Sequence, residues 1–82
     1  MTEVTASTAM EFCELFETLL YANAKALTEA DAYLAKYEEA KDAAAVQRWT
    51  ATRRQLLENQ ITLGRKWEHY RGVVEQAAQE VA

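Results

Sequence analysis

Residues 13–37, CELFETLLYANAKALTEADAYLAKY, and residues 46–70, VQRWTATRRQLLENQITLGRKWEHY, decide the fold between them. In the first stretch Cys13, Phe16, Leu20, Asn23, Leu27, Ala30, Leu34 and Tyr37 recur at alternating steps of 3 and 4. Val46, Trp49, Arg53, Leu56, Gln60, Leu63, Trp67 and Tyr70 repeat that rhythm in the second. An α-helix brings such positions onto one stripe. If the chain folds back near Lys41 and Asp42, the stripes meet layer by layer. Tyr37 then faces Val46, Leu34 faces Trp49 and Leu27 faces Leu56. Leu20 faces Leu63, Phe16 faces Trp67 and Cys13 faces Tyr70. The only two amides in the stripes, Asn23 and Gln60, share a layer. The pattern predicts an all-α fold, a long antiparallel two-helix hairpin of coiled-coil type, with a positions of one helix against d positions of the other.

Bulk composition agrees. The 82 residues are half apolar, contain no proline and only two glycines, and suit one helical domain. A formal charge of -4 argues against an undirected grip on nucleic acid or on an anionic membrane. One cysteine cannot form an internal disulfide, and the N-terminus lacks the basic and apolar regions of a secretory signal. No apolar run approaches a membrane span. A cytoplasmic location is the expectation.

Residues 1–7 read as a flexible tail and residues 8–82 as the hairpin. Thr8-Ala-Met-Glu11 fits a capping box, which starts helix 1 near Ala9 and runs it to Glu39. Asp42 suits the N-cap of a second helix over about 43–80. Thr28 could cap a new helix and Gly64 could end one, giving a three-helix fold. The stripe keeps its phase through both sites, so two continuous helices are expected. Helix 1 carries seven carboxylates against Lys25 and Lys36, a net of -5. Helix 2 carries six cations against four carboxylates, a net of +2, which favours antiparallel pairing. Glu17 and Arg71 are an expected ion pair.

Apolar residues exceed what one seam uses. Phe12, Leu15, Leu19, Ala22 and Ala26 form a second stripe on helix 1, widened by Tyr21 and Tyr33. Leu57, Ile61 and Gly64 form another on helix 2. Exposed together, they would make large patches for so small a monomer. Self-association resolves this, two hairpins making a four-helix bundle as a homodimer. Capture of another protein is the second possibility. Phe12, Leu15, Leu19, Tyr21, Tyr33, Leu57, Ile61 and Gly64 are therefore the candidate partner-binding residues. Gly64 would let another helix approach closely.

Nothing in the chain suggests chemistry. His69 lacks a ligand or base at helical spacing, since Arg65 and Lys66 lie one turn before it. Cys13 falls on the seam as a small buried hydrophobe, and its neighbours Glu14 and Glu17 are not the cationic partners a nucleophilic thiol needs. Asn23 and Gln60 read as a polar layer that fixes register. Arg53 either stays solvated or reaches Glu29 or Asp31. No catalytic, cofactor or metal residues are assigned, and an enzyme is not expected. The length and topology resemble small secreted helical hairpins of the WXG type. Those carry Trp-x-Gly in the turn; here the turn reads Glu39-Ala40-Lys41-Asp42, and Trp49 is followed by Thr50 and Ala51. No membership follows. The expected function is a non-catalytic protein–protein interaction or assembly module: an adaptor, inhibitor or subunit. The alternative is a small dimeric bundle binding RNA or DNA. Arg48, Arg54, Arg65, Lys66 and Arg71 would have to serve it, yet they occupy five different heptad positions.

Overall fold

A threonine hydroxyl opens the first helix, one turn earlier than expected. The computed structural model describes residues 5–81. Thr5 adopts an extended backbone, and its Oγ1 accepts from the Thr8 N–H at 3.2 Å. Helix α1 therefore runs Ala6–Glu39, and Thr8 lies inside its first turn rather than capping it. The extra turn is held by packing, because Ala9 is fully buried and Ala6 half-buried. Part of the expected tail is thus helical, while residues 1–4 lie outside the described residues.

The turn is built from three residues. The Lys41 N–H donates to the Glu38 carbonyl at 3.1 Å, and the Asp42 N–H to the Tyr37 carbonyl at 3.0 Å. Together these form a Schellman ending, which needs a left-handed residue just past the helix. Lys41 fills that place with φ 58°. A side chain there costs about 1 kcal/mol relative to glycine. Lys41→Gly is accordingly expected to stabilise the hairpin by up to about 1 kcal/mol, read as a higher denaturant midpoint at unchanged slope. Asp42 then caps helix α2 (Ala43–Val81), its Oδ1 accepting from the Ala45 N–H at 3.1 Å.

Both helices run without a break. Thr28 Oγ1 donates back to the Ala24 carbonyl at 3.2 Å, an arrangement of a mid-helix threonine. Gly64 has no positive φ and does not end α2. The result is an antiparallel hairpin, a rod of 59 × 23 × 14 Å, and no strand occurs among the described residues.

All sixteen stripe residues are buried or half-buried. At mid-rod, Asn23 Nδ2 donates to Gln60 Oε1 at 2.6 Å and to the Leu56 carbonyl at 2.9 Å. The two amides do share a layer. A slipped register would leave the Asn23 amide without these partners, so the layer locks the alignment. The stripe also continues past its expected ends, through Ala9 and Ala6 on α1 and through Val74 and Ala77 on α2.

Candidate interaction surfaces

The heptad letters can be counted from Cys13 on α1 and Val46 on α2, both a. The hairpin then has two long faces. On one, Met10, Glu17 and Arg71, all at e, line a single groove with Cys13, Glu14 and Val74. The e edges of the two helices therefore lie side by side. On the other, residues at g reach over the seam: Phe12 stacks on Tyr70 with centroids 4.7 Å apart, and Tyr33 stacks on Trp49 at 4.6 Å. Lys66, also at g, places its ammonium 5.9 Å from the Phe16 ring centre.

This geometry redistributes the candidate residues. Phe12 and Tyr33 close the seam at its two ends more than they extend a free stripe, because an aromatic ring at g is long enough to cover the neighbouring d position. Tyr33 nonetheless keeps an exposed edge. Leu15 and Leu19 remain on the g side, 48% and 39% exposed. Tyr21 does not widen that stripe. It is 75% exposed at b, on the e side of the rod, beside Ala24, Lys25 and Thr28. Leu57, Ile61 and Gly64 also lie on the e side, with Leu57 40% and Ile61 57% exposed. A Cβ built on Gly64 would meet no atom within 4 Å. Nothing inside the hairpin demands a glycine there, although a helix interior gives up about 1 kcal/mol for it.

Charges are arranged differently from the expectation at one point. Glu17 does not pair with Arg71. Its Oε1 accepts from the Trp67 indole N–H at 3.1 Å, which satisfies a half-buried donor, and Arg71 bonds Glu75 at 3.2 Å one turn on. Arg53 reaches across the seam to Asp31 at 2.6 Å. Both ion pairs are exposed and contribute little stability. His69 lies edge-on to Tyr70 at 5.1 Å. Cys13 is a buried free thiol. Among the described residues, no three His, Cys, Asp or Glu side chains gather as metal ligands.

Neither helix is long and apolar enough to cross a membrane. No protein family, curated protein or solved structure matches the chain.

Proposed function

We propose that this chain is a non-catalytic assembly module whose fold is completed by association through its exposed apolar helix faces, with a second copy as the first partner. The observation that carries the reading is the core itself. Its buried side chains are small: Ala9, Ala30 and Ala45 are enclosed, with Cys13 and Asn23 close behind. Among the described residues no large side chain is completely buried. A compact monomer of 9.3 kDa exposes about 5,000 Å², whereas this chain exposes 6447 Å². The excess of roughly 1,400 Å² is about what one subunit buries in an obligate dimer.

The alternative, a nucleic-acid-binding bundle, needs cations gathered on one face. Arg53 and Arg71 are each bonded to a carboxylate, and Lys66 sits against Phe16, which favours the protein-binding reading.

Light scattering on a sizing column, with thermal unfolding over a concentration series, tests this. The expected result is a mass of two or more chains and a midpoint that rises with concentration. A monomer that unfolds cooperatively at one midpoint across the series would overturn it.

A further inference from the structure

The e-side stripe of α2 has a symmetry that its neighbour on α1 lacks. It is formed by Arg54, Leu57, Ile61, Gly64 and Glu68, at alternating b and e positions, all exposed except the half-buried Gly64. Taken about Ile61, Arg54 lies seven residues before and Glu68 seven after. Leu57 lies four before and Gly64 three after. A helix laid antiparallel on its own copy, with the two-fold axis at Ile61, brings Leu57 level with the other copy's Arg65, one residue (about 1.5 Å of rise) from Gly64. The same placement sets Arg54 against Glu68, twice. A two-fold interface must be self-complementary in this way, with residue i meeting j and j meeting i.

Resting on the assembly reading above, we infer that two copies of this chain dimerise through α2, antiparallel about Ile61, with Leu57 next to the recess left by Gly64 and Arg54 paired with Glu68. Three observations support the commitment to a second copy. The Gly64 recess opens outward, since an added Cβ there meets nothing within the hairpin. Among the described residues, neither Arg54 nor Glu68 has an ion-pair partner within its own chain. Leu57 and Ile61 are the large apolar side chains that α2 leaves exposed, 40% and 57%. The α1 edge of the same face explains why the contact centres on α2. Its b and e positions carry Glu14, Glu17, Asp31 and Glu38 and no cation, with Lys25 alone flanking them, so two such edges repel. The Leu15 and Leu19 side of α1 has no comparable charge palindrome.

Charge reversal tests the arrangement by sedimentation. Arg54→Glu and Glu68→Arg each place like charges opposite one another at both ends of the contact. Each variant alone is expected to weaken the dimer about tenfold or more. Mixed in equal amounts, the two should pair with each other at close to the parent affinity, because every Glu then faces an Arg. Both positions are exposed, so each variant should retain the parent helicity by circular dichroism. A parent chain that stays monomeric at its highest soluble concentration overturns the inference. So does a dimer indifferent to both reversals, or a mixture no tighter than its parts. If Leu19→Glu splits the dimer and Arg54→Glu does not, the assembly reading stands and this geometry falls.

Discussion

Leu20→Glu is expected to unfold the hairpin, while Leu19→Glu, one residue away, leaves it folded. The chemical change is the same in both, and the helix propensities of the two sites are equal. Only the direction of the side chain differs. Leu20 lies in the seam at half burial, one turn before the Asn23–Gln60 layer. Leu19 points to the g side and is exposed. A carboxylate forced into the seam loses hydration without gaining a cation, a cost of roughly 3–5 kcal/mol. A chain this short holds only about 3–5 kcal/mol in its core. The substitution therefore removes most of the stability, and the far-ultraviolet signal should collapse at room temperature. At Leu19 the carboxylate stays in water, and stability should move by no more than about 0.5 kcal/mol. Two variants with equal helicity, or the reverse order, would show that the seam is misplaced.

That contrast was legible because the seam is a local property of the sequence. A 3-4 rhythm dictates which residues share a helix face, whatever they later touch. Asn23 and Gln60 added the register, since a polar pair in one layer is costly anywhere else. What the rhythm does not contain is reach. Phe12 and Tyr33 belong by position to a flank, yet their rings extend over Tyr70 and Trp49 and become part of the seam. Leu19, at the same heptad position, is branched and shorter, and it stays outside. Tyr21 shows a different failure. One residue along a helix turns the side chain by about 100°, which carried it from the expected stripe to the opposite edge. Hydroxyl caps are ambiguous for a third reason. Thr5 and Thr8 both precede suitable helical residues, and only the burial of Ala9 favours the earlier start. Glu17 had two candidate donors within reach. The half-buried indole of Trp67 took it in preference to the exposed guanidinium of Arg71, which had Glu75 at hand.

At the open end of the rod, Tyr70→Ala is expected to separate the two helices locally without unfolding the rest. Tyr70 is the hub of the aromatic group there. Phe12 stacks on it at 4.7 Å and Phe16 at 5.8 Å, while His69 meets it edge-on at 5.1 Å. Removing the ring loses its buried area and at least two aromatic pairs, about 3 kcal/mol together. The loss falls where the chain has no turn to hold the helices together. Near Lys41 the connection is covalent, and Tyr33 on Trp49 closes that end independently. The mid-rod bonds from Asn23 to Gln60 and Leu56 separate the two regions. Native-state hydrogen exchange reads the difference. Amides of residues 12–19 and 67–76 should exchange about a hundredfold faster in the variant, because opening there no longer opposes the ring contacts. Amides of residues 30–37 and 46–53 should change little. Equal acceleration along the whole rod would mean that the hairpin opens only as a unit, with its closure shared evenly between the two ends.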